Sequence, residues 1–206
     1  MGRCVIVGGA KISDYSYPKK HLLEDDYFIF CDCGLRHSKG LLVTPDLIVG
    51  DFDSSSLPKT DIETIILPRE KDDTDTVFAI KEGIKRGFKD FLLLGVVGER
   101  LDHSLVNVSA LLLLQNNGCN GTIIDDFSEM EIVGKDAKFV SPEYSYFSLV
   151  NIGGVAKNIT IKNAKYNLEN AEIFPEYQYA TSNECINESP AEITVGEGNL
   201  LLIKVK

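Results

Sequence analysis

Over residues 1–126, short apolar runs alternate with segments of helical periodicity. Over residues 127–206 similar runs recur with no helix between them. That change of rhythm limits the architectures open to the chain. In the first stretch, residues 4–7, 28–31, 47–49, 64–67 and 91–94 read as strands, and 19–24, 75–86 and 101–115 as helices. In 75–86, Val77, Ile80 and Ile84 recur at helical spacing and define one apolar face. Lys85 and Arg86 suit the negative C-terminal end of that helix, and Gly87 supplies a stop. Strands alternating with helices predict a mostly parallel, layered α/β sheet. In the second stretch, residues 131–133, 138–140, 146–151, 158–161, 192–195 and 200–205 read as strands separated by turn formers such as Gly153-Gly154. That pattern predicts a small antiparallel β-sandwich. The expected organisation is an α/β domain at 1–126 followed by a β-sandwich domain at 127–206.

Composition narrows the function classes. The chain has 206 residues, 44% of them hydrophobic and 25% charged, which suits a globular protein with a core. A formal net charge of −10 argues against a nucleic-acid partner, because phosphate backbones need clustered Lys and Arg. The five cysteines, Cys4, Cys31, Cys33, Cys119 and Cys185, include no C-x-x-C pair, so a zinc site is not expected. Cys31 and Cys33 lie in an apolar run and read as small hydrophobes. No signal peptide and no membrane-length apolar run are visible, so a reduced, cytoplasmic setting is expected.

Three segments could carry chemistry. In Pro45-Asp46-Leu-Ile-Val-Gly50-Asp51-Phe52-Asp53-Ser54, an apolar strand ends in glycine and then presents two carboxylates. If the backbone stays extended, Asp51 and Asp53 point the same way. They would lie beyond a strand's C-terminal end, where open α/β sheets bind ligands, and would suit a hard cation. An acidic turn is the bland alternative. In Lys71-Asp72-Asp73-Thr74-Asp75-Thr76, one or two residues would suffice to cap a helix. Three Asp in four positions exceed that need. In Gly95-Val-Val-Gly98-Glu99-Arg100-Leu101-Asp102-His103, a glycine turn opens a helix whose N-terminus suits phosphate. Arg100, His103, Ser104 and Asn107 share one polar stripe there, opposite the apolar Leu101, Leu105, Val108 and Leu112. Arg100 is the natural phosphate clamp; an ordinary solvated face is the alternative. The chain has no P-loop sequence and no G-x-S-x-G elbow. Strand-end carboxylates, an Arg and a helix N-terminus point to a metal-bound polyphosphate, whose chemistry is mostly positioning and charge neutralisation.

These segments, in this order, resemble the thiamine pyrophosphokinase family. Cys31-Asp32-Cys33-Gly34 is similar to its Asp-Gly-Gly segment. Gly50-Asp51-Phe52-Asp53-Ser54 matches its most distinctive motif. Lys71 to Thr76 is similar to its Lys-Asp-x-Thr-Asp motif, and Gly98 to His103, with Asn107, to its Gly-x-Arg-Leu-Asp-His segment. Weaker likenesses follow at Lys165-Tyr166-Asn167-Leu168, at Thr181-Ser182-Asn183-Glu184 and at Gly198-Asn199-Leu200-Leu201.

The resemblance implies an ATP-dependent thiamine diphosphokinase that transfers pyrophosphate from ATP to the thiamine hydroxyl and releases AMP, with magnesium as cofactor. It implies Asp51, Asp53, Asp72 and Asp75 as metal ligands. Catalytic roles would fall to Asp51, Asp53, Asp75 and Asp102, and ATP contacts to Asp32, Gly34, Asp72, Arg100, His103 and Asn107. Ser182 and Asn183 would contact thiamine in a homodimer whose thiamine site lies at the subunit interface. Tyr177 and Tyr179 are candidates for an aromatic face against the thiazolium cation. Cys33 and Glu99 stand where the family usually has Gly, Asn163-Ala164 replaces a usual Gly-Leu, and the chain has no Trp. These departures leave the carboxylates intact and bear on the acceptor pocket. The competing readings are a non-catalytic nucleotide- or vitamin-binding module and a pyrophosphokinase acting on another small alcohol.

Overall fold

The computed structural model describes residues 2–52, 60–70 and 72–206. It divides into two compact units, residues 1–126 and residues 127–206.

The first unit is built on six strands: β1 (Cys4–Val7), β2 (Tyr27–Cys31), β3 (Leu47–Gly50), β4 (Glu63–Ile66), β5 (Asp90–Leu94) and β6 (Asn120–Ile124). They lie in the order β4-β3-β2-β1-β5-β6, and all their pairings are parallel. Parallel strands covered on both faces read as unbroken apolar runs, which is why β1, β2, β3 and β5 are visible in the sequence. All four residues of β1 are fully buried. One sheet face packs Val5, Val7, Phe28, Phe30, Leu92 and Leu94 into a single cluster. The strand β6 was not expected. Only its last residues, Ile123 and Ile124, are apolar enough to signal it, and Gly121 is its second residue.

The helices are α1 (Ser16–Lys20), α2 (Ser38–Leu41), α3 (Asp75–Lys85) and α4 (Leu101–Asn116), with a 3-10 helix over Asp32–His37. The helix expected at 19–24 forms earlier, as α1. Asp14 accepts from the Ser16 N–H at 2.8 Å, and Pro18 sits in the first turn, where a missing N–H costs nothing. α3 forms as expected, but its buried face is Thr76, Ala79, Ile80 and Gly83 rather than Val77, Ile80 and Ile84. The reason is a close crossing at Gly83, where an added Cβ would lie 2.7 Å from Phe91 Cε1 and 3.1 Å from Cys4 Sγ.

α4 differs more from expectation. Ser104 and Asn107 on the polar stripe are buried, whereas Leu101 is 68% and Leu105 60% exposed. Burying those polar groups is tolerated because each finds a backbone partner (described below). Cys33 also differs: Cys31 is buried as read, but Cys33 is exposed, because β2 ends between them.

The second unit comprises β7 (Ser128–Val133), β8 (Lys138–Val140), β9 (Tyr146–Asn151), β10 (Ala156–Lys162), β11 (Leu168–Ile173), β12 (Ala191–Glu197) and β13 (Leu200–Val205). They form antiparallel sheets β7-β13-β9 and β11-β10-β12-β8. Phe147, Leu149, Leu200 and Leu202 of one sheet pack with Ile159, Ile161, Ile193 and Val195 of the other, so the unit is a β-sandwich. The unexpected β11 (LENAEI) is half polar. Its register against β10 shifts twice and Asn170 has φ 50°, the mark of bulged pairing that hides strand periodicity. Among the described residues, no helix is long and apolar enough to cross a membrane.

Candidate active site

From β1 the chain adds β2, β3 and β4 on one side, then crosses back to add β5 and β6 on the other. Open parallel sheets form a ligand crevice beyond their carboxyl ends at such a switch. A cleft of about 600 Å³ opens there, a volume suited to a small ligand. The turn after β1 lines it with Gly8, Gly9 and Ala10, and the turn after β5 with Gly95, Val96 and Gly98. These turns extend the β1–β5 pairing: Gly8 N–H donates to the Leu94 carbonyl at 2.8 Å, and Ala10 N–H to that of Gly95 at 2.7 Å. Gly95 has φ 60°, and a Cβ there would sit 2.7 Å from the Gly8 carbonyl oxygen, so the turn requires glycine.

The 3-10 helix forms the wall beyond β2 and brings Asp32, Cys33 and Arg36 to the cleft. Gly34 does not line it. Gly34 is buried beneath, where a side chain would overlap the Val7 carbonyl oxygen. His37, next along, is 3% exposed. Its Nε2 lies 2.9 Å from the Ala10 carbonyl, and its Nδ1 lies 2.7 Å from the Tyr15 hydroxyl. A carbonyl only accepts, so Nε2 carries the proton in that bond, and in the neutral ring Nδ1 accepts from Tyr15. Burial pushes the imidazole below its ordinary 6.5, against the opposing pull of the Ala10 carbonyl.

Beyond β3, Asp51 reaches the cleft. The extended backbone expected there does not continue. Phe52 has φ 53°, a left-handed conformation that costs a non-glycine residue about 1–2 kcal/mol. Such outliers cluster at functional sites. Asp53 and Lys71 lie outside the described residues, so the expected pairing of Asp51 with Asp53 does too. Asp75, the first residue of α3, lines the cleft with Thr74 and Thr76. Thr74 caps the helix, its hydroxyl oxygen accepting from the Val77 N–H at 3.2 Å. Asp72 is exposed and does not line the cleft, and Asp73 pairs with Lys81 at 2.7 Å. Of the four expected metal ligands, Asp51 and Asp75 therefore meet in the cleft. Among the described residues, no group of three or more His, Cys, Asp or Glu is arranged as a metal cluster.

Beyond β5, Arg100 and His103 line the cleft and Asn107 closes it behind. Asn107 Nδ2 donates to the Val96 carbonyl at 2.7 Å. Ser104 Oγ accepts from Gly98 N–H at 3.0 Å. The buried stripe of α4 is thus a brace for the glycine turn. Arg100 grips Asp102 through two bonds of 3.0 and 2.7 Å. That guanidinium holds the exposed Asp102 carboxyl well below the usual carboxylate range. Asp102 itself does not line the cleft.

In the second unit, Ser182 is exposed with φ 54°, and its N–H donates to Ser148 Oγ at 3.0 Å. Asn183 is buried and fully engaged. Its Oδ1 accepts from the N–H groups of Tyr166 and Glu184 at 3.0 Å each, and its Nδ2 donates to the Tyr166 carbonyl at 2.8 Å. Tyr166, Leu168, Tyr179 and Thr181 line a small hollow beside it. Tyr177 and Tyr179 lie 5.3 Å apart between ring centroids, their planes tilted by 42°. Arg36, four residues after Asp32, lines the cleft although it was not among the expected site residues, because no periodicity or motif singles it out.

The family model described as "Thiamin pyrophosphokinase, catalytic domain" matches residues 19–123, and that described as "Thiamin pyrophosphokinase, vitamin B1 binding domain" matches residues 132–200. No curated protein sequence matches the chain. Solved structures do. The crystal structure of thiamine pyrophosphokinase from Bacillus subtilis superposes with a TM-score of 0.89 at 21% identity, covering 100% of this chain and 99% of that one. That of thiamin pyrophosphokinase from Geobacillus thermodenitrificans gives 0.84 at 26%, covering 100% and 98%. That of a thiamin pyrophosphokinase family protein from Enterococcus faecalis gives 0.83 at 27%, covering 100% and 99%.

Proposed function

The chain belongs to the thiamin pyrophosphokinase family, and we propose that the cleft of residues 1–126 carries out its reaction, pyrophosphate transfer from ATP to the hydroxyl of thiamine. The observation that carries this assignment is one cleft that gathers Asp32, Asp51, Asp75, Arg100 and His103 from four separate segments at the sheet's switch point. The thiamine hydroxyl oxygen bonds to the β-phosphorus as the bond to the α-phosphate oxygen breaks, so AMP leaves. Little covalent work falls to the protein; it positions the groups and balances charge.

Oxygen donors from Asp51 and Asp75, which line the same cleft, suit a hard cation, and carboxylates brought together favour one. Magnesium held there would neutralise phosphate-oxygen charge. Asp53 would join this set, and Asp72 would need to turn inward to do so. Arg100 and His103 offer positive or donor groups from the opposite wall. The N-cap residue of α4, Arg100, makes no side-chain cap bond, so the helix N-terminus suits phosphate. Asn107 acts on ATP through the Val96 turn that it braces, and Gly34 by letting the 3-10 helix pack against β1.

Residues 127–206 bind thiamine in this reading. The Ser182 hydroxyl and the faces of Tyr166, Tyr177 and Tyr179 are exposed, and aromatic faces attract a thiazolium cation. A homodimer with the thiamine site at the subunit interface completes it. The uncovered apolar side of α4, with Leu101, Leu105 and Val106, suits a second copy. The five cysteines form no disulfide among the described residues, which suits the cytoplasm. Incubation with magnesium, ATP and thiamine should yield thiamine diphosphate and AMP in equal amounts; thiamine monophosphate and ADP would sink the proposal.

A further inference from the structure

We propose that Arg36 is a second clamp on the nucleotide, binding its β- and γ-phosphates from the wall facing Arg100. This rests on the reading of the cleft as the ATP site. The two arginines reach it from opposite sides of β1, because Arg36 follows β2, Arg100 follows β5, and β1 lies between those strands. They differ in what they have to spare. One edge of the Arg100 guanidinium, Nε and Nη2, is engaged by Asp102 at 3.0 and 2.7 Å. Arg36 has no ion-pair partner among the described residues, although Asp32, Asp51 and Asp75 line the same cleft. An exposed arginine with no ion-pair partner among the described residues, on the wall of an acidic cleft, is available to a ligand's own negative charge.

The backbone beneath Arg36 is fixed where the side chain is free. His37 ties the end of the 3-10 helix to the Ala10 carbonyl and to Tyr15. Gly34 presses the same helix against the carbonyls of Val7 and Gly8. Tyr15 is packed in turn on Gly40, where any added side-chain carbon would collide with its ring. The guanidinium therefore swings from a rigid base beside Gly8, Gly9 and Ala10. A planar fork is matched to two phosphate oxygens at once, and such paired bonds are among the stronger polar contacts. AMP lacks the phosphates that Arg36 would grip, so the residue should discriminate the triphosphate from the product.

The test is equilibrium binding of magnesium–ATP and of AMP to the full chain, as wild type, Arg36→Gln and Arg36→Lys, without thiamine. We expect Arg36→Gln to weaken magnesium–ATP binding about tenfold or more, the scale of a lost charge-assisted bond. AMP affinity should stay within about twofold, and Arg36→Lys should fall between wild type and Arg36→Gln, since it keeps the charge without the fork. Undiminished ATP binding by Arg36→Gln would overturn the proposal, as would equal losses for ATP and AMP. AMP formation by the wild-type enzyme separates the two levels. Failure there removes the ATP site and the clamp together, whereas success with unaltered ATP binding in Arg36→Gln removes the clamp alone.

Discussion

Asp51 sits where β3 ends and immediately before the left-handed turn at Phe52. Its carboxylate is therefore delivered to the cleft by a backbone that leaves the sheet, and the motif is legible while its geometry is not. No periodicity marks a positive φ at a phenylalanine. Asp51→Asn keeps the size and removes the charge. We expect turnover to fall at least about 100-fold, as for loss of a preorganised electrostatic contact. The melting temperature should move little, and near-normal turnover in a folded Asp51→Asn enzyme would remove Asp51 from the site. Asn183 makes the complementary case. Its three bonds to the backbone of Tyr166 and Glu184 mark it as a latch for the hollow's wall. Asn183→Ala leaves those buried groups unsatisfied and should cost about 1–3 kcal/mol, read from urea unfolding. An unchanged midpoint would show that the latch contributes nothing.

At the scale of elements, β1, β2, β3 and β5 were legible because burial on both faces makes them uniformly apolar, whereas the more polar β6 was not. Helix faces were less so. α3 turns Gly83 inward because Phe91 and Cys4 approach too closely for a side chain. α4 turns Ser104 and Asn107 inward because the β5–α4 turn supplies their partners. Neither contact is encoded in the spacing of apolar residues. Helix propensity alone would make Gly83→Ala stabilising by roughly 1 kcal/mol. The crowding at Gly83 predicts the opposite sign, a loss of about 1–3 kcal/mol in chemical denaturation. A stabilised Gly83→Ala protein would show that the crossing relaxes freely.

At the scale of the whole molecule, the alternation of strands and helices followed by strands alone announced an α/β unit and a sandwich. What stayed hidden is the charge placed inside the sandwich. Lys204 lies 3.0 Å from both Glu129 and Glu131, and Glu131 also takes Lys138 at 2.6 Å. Burial opposes the charge on Lys204, but Glu131 and Glu129 outweigh it and raise its pKa above the ordinary 10.5. Burial likewise opposes ionisation of Glu131, but Lys204 and Lys138 together hold it below 4.5. The raised Lys204 contributes stability that is full below pH 10.5 and fades as pH rises through its folded value. The depressed Glu131 contributes stability that is full above pH 4.5 and fades as pH falls through its folded value. Lys204→Met should therefore cost about 3–5 kcal/mol near pH 7 by stranding buried carboxylates, and should regain stability on acidification. Unfolding curves at several pH values would show it, and a constant penalty at every pH would contradict the assignment.

The central claim is that the cleft of Asp51, Asp75 and Arg100 moves pyrophosphate from ATP to thiamine. AMP release from magnesium–ATP, followed with and without thiamine in the wild type and in Asp51→Asn, tests it most directly. AMP is expected only when thiamine is present, and next to none from Asp51→Asn. Release of ADP, or thiamine-dependent AMP undiminished in Asp51→Asn, would contradict it.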